Sequence, residues 1–309
     1  VSTPLPVIVG PTAAGKSSLA LQLAEQFHLA IVSADSRQIY RGFDIGTAKP
    51  TPADQHRVPH YGINCCDPMQ RYSAHQFAAD ATQWCEASRR DGRAPLVVGG
   101  TGFYIRALVH PLHEAPPIPE GPRRALDAYL ETLSGSVLEQ WCRRLDPARA
   151  HLGRTQHLRA IETALLTGSR LSDVFASPGD GHEPAMWAAR YLVVDPGPVL
   201  AARIAERVRR MVHDGWVDEV RALQQTVPFE APAWNACGYS RIYDVVRGVS
   251  SLSDAIERIT IETRQYAKRQ RTWNRHQLPA NAVTHVDITA DNAFETACRW
   301  YETVARSGA

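Results

Sequence analysis

The sequence predicts an α/β fold in which a parallel sheet, covered by helices on both faces, carries a mainly helical insertion. Two observations predict the sheet and one the insertion. Short apolar runs at Pro6–Val9, Ala30–Ser33 and Leu96–Val98 alternate with stretches of helical periodicity at Ser17–Phe27 and Ala74–Arg90. Continuous apolar strands between amphipathic helices are what a parallel sheet buried on both faces requires. A Gly-rich turn joins the first run directly to the first helix, the order strand, loop, helix. After His113 the texture changes, and to about Thr167 the chain is rich in Leu, Ala and Arg without strand signals.

Taken in order, the first helix places Leu19, Leu23, Ala24 and Phe27 at helical spacing, and the run ending at Val98 is closed by Gly99-Gly100. Glu114-Ala115-Pro116-Pro117-Ile118-Pro119 reads as a proline-rich connector into the insertion, and Ser177-Pro178-Gly179-Asp180-Gly181-His182 as a loop. Tyr191–Val194 is β-prone and returns the chain to the sheet, after which Val199–Gln225 and Ser253–Arg275 each read as a long amphipathic helix. The expected core is therefore 1–113 with 191–309, and the expected insertion is 114–190.

Bulk properties exclude several classes. Hydrophobic content of 44% and charged content of 21% are ordinary for a globular protein, and no apolar run approaches the ~20 residues of a spanning helix. The first residues show no basic flank or cleavage site of the signal-peptide kind. Six cysteines without Cys-x-x-Cys spacing read as reduced thiols, which excludes a disulfide scaffold and structural zinc and points to the cytoplasm. A net charge of +2 argues for no partner by itself, and a monomer is expected. Of 34 basic residues only Lys16, Lys49 and Lys268 are lysines, so each is a candidate for a position that needs a compact ammonium.

Gly10-Pro11-Thr12-Ala13-Ala14-Gly15-Lys16-Ser17 matches the phosphate-loop pattern G-x-x-x-x-G-K-[ST] in its required strand-to-helix context, which makes the core P-loop NTPase-like. Glycines let backbone amides approach phosphate oxygens, the helix N-terminus adds partial positive charge, Lys16 neutralises the anion, and the Ser17 hydroxyl can ligate Mg²⁺. The loop establishes a diphosphate-bearing ligand without saying which. A kinase would place an acid at the end of a later apolar strand; Leu96-Val97-Val98 ends instead in Gly99-Gly100-Thr101-Gly102, a second cradle or, taken alone, a tight turn.

Several further stretches together resemble the tRNA dimethylallyltransferases, also called tRNA isopentenyltransferases. They are Ser33-Ala34-Asp35-Ser36-Arg37-Gln38-Ile39-Tyr40, Gly42-Phe43-Asp44-Ile45-Gly46-Thr47-Ala48-Lys49-Pro50, Pro59-His60, Asp67-Pro68, Tyr72-Ser73-Ala74 and Gly99-Gly100-Thr101-Gly102-Phe103-Tyr104. Cys237-Gly238-Tyr239 and Thr263-Arg264-Gln265-Tyr266-Ala267-Lys268-Arg269-Gln270-Arg271-Thr272-Trp273 fit as well. The resemblance implies dimethylallyl diphosphate as donor and, as acceptor, the exocyclic amine of the adenosine 3′-adjacent to the anticodon of tRNA. It makes Asp35 the base that takes the amine proton, places Thr101 at both the diphosphate and the adenine, and assigns Ser36, Arg37 and Gln38 to tRNA. Asp35 also reads as a strand-end turn residue or Mg²⁺ ligand. Arg207, paired with Arg203 on one helical face, is the candidate for a further diphosphate contact. An adenine inside a stacked loop must be extruded to reach such a pocket.

For holding the anticodon stem-loop, the insertion offers Arg143, Arg144, Arg149, Arg154 and Arg159 with His151 and His157 between Trp141 and Ala160, against Asp146 alone. The family resemblance adds Arg123, Gln156, His157 and Arg159 as tRNA contacts. Relatives commonly show His-Pro-Asn-Asp where this chain has His151-Leu152-Gly153-Arg154. Arg264, Lys268, Arg271 and Arg275 share one helix face and form either a phosphate path or a solvated exterior. The alternative function is a P-loop small-molecule or nucleotide kinase, which accounts for the loop but not for the Asp35 and Lys49 segments. A guanine-recognising module lacks its Asn-Lys-x-Asp segment.

Overall fold

Leu5–Val9 is buried at every position, as a strand covered on both faces must be. It is β1 of a computed structural model whose described residues are 4–110, 118–176 and 187–307. In chain order there follow α1 (Lys16–Gln26), β2 (Leu29–Ala34), α2 (Pro52–Arg57), β3 (His60–Tyr61), α3 (Ala74–Arg90), β4 (Ala94–Gly99) and α4 (Gly102–Val109). Next come α5 (Glu120–Glu131), α6 (Gly135–Leu145), α7 (Arg154–Thr167) and α8 (Leu171–Ala176). The chain then runs through β5 (Ala189–Val194), α9 (Leu200–His213), α10 (Trp216–Leu223), α11 (Tyr239–Val246), α12 (Leu252–Gln277), β6 (Val283–Val286) and α13 (Ala293–Arg306). It divides into two compact units, Val1–His110 with Ala185–Ala309, and Pro111–Pro184.

In the larger unit six strands lie in the order β3-β2-β4-β1-β5-β6, every pairing parallel. Val7 pairs with Val97, and Val32 with that same residue from the other side. Parallel strands all end at one edge, where ligands of open α/β sheets bind. The order β2-β4-β1 therefore brings the segments after Val9, Ala34 and Gly99 side by side. One face of the sheet packs Ile8, Ile31, Leu96 and Leu192 against α1 and α13. Between α3 and α4, Phe77 and Tyr104 stack at 4.4 Å.

A second core joins Phe43 to α10, α11 and α12. Phe43 lies 4.9 Å from Tyr239 and 5.2 Å from Trp234 between ring centroids, and Trp216 lies 5.4 Å from Tyr239. These rings are fully or almost fully buried, which ties the segment after β2 to the C-terminal helices.

Two expectations need correction. The single helix read over Val199–Gln225 is two, because Gly215 takes a left-handed φ of 101° between α9 and α10, a conformation that ends a helix and suits glycine. β3, β6 and α13 were not read from the sequence: β3 has two residues, and β6, Val-Thr-His-Val, carries too little apolar pattern to stand out. Among its described residues the smaller unit holds α5 to α8, of which α5, α6 and α7 pack around Leu130, Leu138, Cys142 and Ile161. Residues 114–117 of the connector, and the loop read at 177–182, lie outside the described residues. All six cysteines are unpaired, and among the described residues no helix is long and apolar enough to cross a membrane.

Candidate active site

The loop after β1 is built to face an anion. Gly15 takes a left-handed φ of 100° as the residue before α1, which turns the first helical amides toward the loop. Lys16 Nζ donates to the Pro11 carbonyl at 2.8 Å, curling back over the loop, and Arg203 Nε donates to the Ala13 carbonyl at 3.0 Å. Gln270 clips this loop to the end of β4: its Oε1 accepts from Thr12 N at 2.7 Å, and its Nε2 donates to the Gly100 carbonyl at 2.8 Å. Sequence reading placed Gln270 in a motif without giving it a task. A neutral amide inside a run of cations was the available signal.

Asp35 follows β2, and its Oδ1 accepts from Arg37 N at 2.9 Å. Thr101, after β4, accepts from Ser36 N at 3.1 Å on its Oγ1, and its own amide donates to the Ala34 carbonyl at 3.3 Å. Arg207, from α9, sits close enough to Lys16 and Asp35 for charge interactions with both, and among the described residues it has no salt-bridge partner. Burial lowers the Lys16 ammonium to about 8, helped by Arg207 and opposed by Asp35. Burial lowers the Arg207 guanidinium as well, again with Asp35 opposing. Two desolvated cations facing one another are waiting for a negative charge.

The sign of the resulting pH dependence is fixed. A bound diphosphate restores the charge on Lys16, so above pH 8 binding must take up a proton that the free protein has lost. Diphosphate affinity is expected to be full below pH 8 and to fall by about tenfold per pH unit as the pH rises beyond it. Equilibrium binding of inorganic diphosphate between pH 7 and 10 checks this, and a flat profile across that range would contradict it.

Two clefts open from this point. One of about 1010 Å³ is lined by Lys16, Ser17, Lys49, Arg203, Arg207 and Arg210 among others. The other, of about 560 Å³, is lined by Asp35, Ser36, Arg37, Thr101, Arg207, Tyr266 and Arg269 among others. A small cavity of about 80 Å³ touches Lys16, Ser17, Asp35, Gln38, Gly100 and Arg207. The arrangement offers an anion site at the phosphate loop, a separate 560 Å³ pocket, and the Asp35 carboxylate lining both that pocket and the small cavity at the loop. Among the described residues no three His, Cys, Asp or Glu side chains gather as a metal cage. An exposed Ser17 at the start of α1 suits Mg²⁺, which keeps several waters and takes phosphate oxygens as ligands.

Residues 38–277 match the family model for IPP transferase, and residues 3–59 match that for isopentenyl transferase. The chain belongs to the IPP transferase family. It is 41% identical to the tRNA dimethylallyltransferase of Halorhodospira halophila, with 100% of both chains covered. It is 38% identical to that of Synechococcus elongatus over 97% of this chain and 96% of that one. Among solved structures, the tRNA isopentenylpyrophosphate transferase of Bacillus halodurans is similar with a TM-score of 0.70 and 30% identity, covering 99% and 98% of the two chains. A eukaryotic dimethylallyltransferase acting on tRNA gives 0.78 at 27% identity, covering 99% of this chain and 79% of that one. The P-loop NTPase-like fold read from the sequence is the fold of this IPP transferase.

Two family motifs prove to hold the walls of the site. Lys49 Nζ, almost wholly buried, donates to the Tyr40 carbonyl, to Asp44 Oδ1 at 2.5 Å and to Asn64 Oδ1 at 2.6 Å. Three acceptors around one point suit an ammonium and not a planar guanidinium. Gln38 accepts from the Ser33 hydroxyl at 3.0 Å and donates to the Thr47 and Ala48 carbonyls at 3.2 and 3.0 Å. Glu219 accepts from Asp44 N at 2.9 Å, Ile45 N at 2.6 Å and the Tyr239 hydroxyl at 2.6 Å. Lys49→Met would strip three oxygens of a donor, and is expected to lower unfolding stability by about 1–3 kcal/mol. Urea unfolding beside the wild type measures it; an unchanged midpoint would refute the role.

The structure thus brings Gly10–Ser17, Asp35, Ser36, Arg37, Gln38, Thr101 and Arg207 of this IPP transferase into one region. Arg123, Gln156, His157 and Arg159 lie in the smaller unit. There Arg123 is ion-paired with Glu162, Gln156 accepts from Arg149 at 2.6 Å, and His157 is buried with its Nε2 at 3.0 Å from the Ala150 carbonyl. Arg159 is exposed. Arg154, from the segment that departs from the relatives, donates to the Leu133 and Glu131 carbonyls at 2.8 and 3.1 Å, closing the C-terminal end of α5. The basic stripe on α12 is not uniform. Arg271 donates to Asp195 and to the Gly197 carbonyl at 2.8 Å, so it secures the turn after β5 and is not a free phosphate contact.

Proposed function

We propose that this protein transfers a dimethylallyl group from dimethylallyl diphosphate to the exocyclic N6 amine of the adenosine 3′-adjacent to the anticodon in tRNA, giving N6-isopentenyladenosine. The observation that carries the reading is a carboxylate, Asp35, standing between a desolvated cation pair and a separate open pocket. That is what substitution at an allylic carbon by a weak nucleophile calls for. The donor's diphosphate rests on the Gly10–Ser17 loop with Lys16 and Arg207, and the extruded adenine enters the pocket beside Asp35, Ser36, Arg37 and Thr101. As the N6–C1 bond forms and the C1–O bond breaks, the electron pair leaves with the diphosphate and Asp35 takes the amine proton. Lys16, Arg207 and the loop amides meet the charge that develops on the leaving group. Mg²⁺, held by Ser17 and phosphate oxygens, would add to that neutralisation.

In this reading Ser36, Arg37, Gln38, Arg123, Gln156, His157 and Arg159 serve the tRNA, and the protein acts as a monomer in the cytoplasm. Exposed Arg159 is the most direct candidate for the RNA backbone. The test is transfer of label from radiolabelled dimethylallyl diphosphate to unmodified tRNA with Mg²⁺, beside a parallel assay with labelled ATP. Label on tRNA adenosine supports prenyl transfer; label moving only from ATP would replace it with a kinase.

A further inference from the structure

Gln270 stands in a run of cations, Lys268-Arg269-Gln270-Arg271, yet it is neutral and almost wholly buried. Its carboxamide makes one bond in each direction: Oε1 accepts from Thr12 N in the phosphate loop, and Nε2 donates to the Gly100 carbonyl after β4. Among the described residues no other side chain bonds both loops. Two glycines make room for this docking. A Cβ on Gly100 would come within 2.2 Å of Gln270 Nε2, and one on Gly102 would come equally close to the ring of Trp273, three residues further along the same face of α12. Thr101, between those glycines, bonds the next loop instead: its amide donates to the Ala34 carbonyl and its Oγ1 accepts from Ser36 N.

These bonds form a relay across three strand ends. The phosphate loop is tied through Gln270 to Gly100, and the next residue, Thr101, is tied to Ala34 and Ser36, which flank Asp35. Thr12, Asp35, Gly100 and Gln270 all line the small cavity at the loop, so the relay spans the distance between the diphosphate cradle and the carboxylate. A carboxamide is what the position requires. A carboxylate has no donor for the Gly100 carbonyl, and an ammonium or guanidinium has no acceptor for the Thr12 amide. The phosphate loop keeps its own shape through other bonds, from Lys16 to Pro11 and from Arg203 to Ala13. What the clip adds is the register of that loop with the acid.

We propose that Gln270 is a positioning residue for the transfer: by clipping the phosphate loop to the end of β4 it sets the distance between the bound donor and the Asp35 carboxylate. The inference rests on the prenyl-transfer reading. The test compares wild type, Gln270→Ala, Gly100→Ala and the double variant. Transfer from dimethylallyl diphosphate to tRNA is counted per site that binds inorganic diphosphate, so that misfolded protein drops out. Alanine keeps α12 helical, and Gly100→Ala leaves Gln270 in the chain but pushes its amide off the carbonyl. Gln270→Ala is expected to lower kcat about 10- to 100-fold while inorganic diphosphate binds within about twofold of wild type. Gly100→Ala is expected to lower kcat as well, and the double variant no further than the slower of the two. An unchanged kcat in Gln270→Ala, losses that multiply in the double variant, or diphosphate affinity that falls in step with kcat would each overturn the role. Wild type separates the two levels: no label on tRNA refutes prenyl transfer and this role with it, whereas a wild type that transfers beside unaffected or multiplying variants refutes Gln270 alone.

Discussion

Asp35→Ala is expected to abolish prenyl transfer while the protein still binds its diphosphate donor. One carboxylate oxygen of Asp35 is engaged by the Arg37 amide at 2.9 Å, and the other is available for a proton where the small cavity meets the 560 Å³ cleft. Losing a positioned general base costs about 10²- to 10⁴-fold in rate. Binding follows a different sign. Asp35 is the anion that partly offsets Lys16 and Arg207, so removing it strengthens the field that a diphosphate meets. At pH 7 donor affinity should hold or improve while single-turnover transfer fails. Loss of binding with normal turnover per bound donor would show Asp35 to be a ligand-holding residue instead of the base. Asp35→Asn, which keeps the shape and removes the basicity, should behave like the alanine variant.

Lys16→Ala is the second large effect, and it falls on the other substrate. Lys16 lines the clefts on the phosphate-loop side and not the 560 Å³ pocket, so tRNA affinity should be unchanged. The ammonium faces the charge that grows on the departing diphosphate. Removing one such preorganised donor is expected to reduce kcat/KM for the donor by about 10²- to 10³-fold. Stability should not fall with it, because burial already disfavours this charge and Arg207 repels it. A combined measurement of donor kinetics, tRNA binding and thermal unfolding checks all three parts. A parallel loss of tRNA binding would mean that the clefts are not separate.

The lysine count illustrates how far composition can reach. In a chain that uses arginine almost everywhere, Lys16 and Lys49 sit where a compact ammonium meets converging acceptors or a phosphate loop, as the count suggested. Lys268 is simply exposed. The stripe of Arg264, Lys268, Arg271 and Arg275 shows the opposite limit. Helical spacing put the four on one face, yet Arg271 spends its guanidinium on Asp195, a partner 76 residues away that no local pattern announces.

What the sequence by itself determined is what short-range chemistry encodes. The strand, glycine loop and helix at Leu5–Gln26, the helix Ala74–Arg90 and the strand at β4 follow from apolar periodicity and turn residues within a few positions. The phosphate loop is legible because its task is local, with backbone amides and one lysine in eight consecutive residues. Only the tertiary structure decided that β2, β4 and β1 are neighbours, and with that order that Asp35, Thr101 and the phosphate loop meet. It also decided that Gln270 clips two loops and that Tyr266 lines both neighbouring cavities, because strand order and helix docking depend on contacts between residues far apart in the chain, whose energies no window of sequence contains.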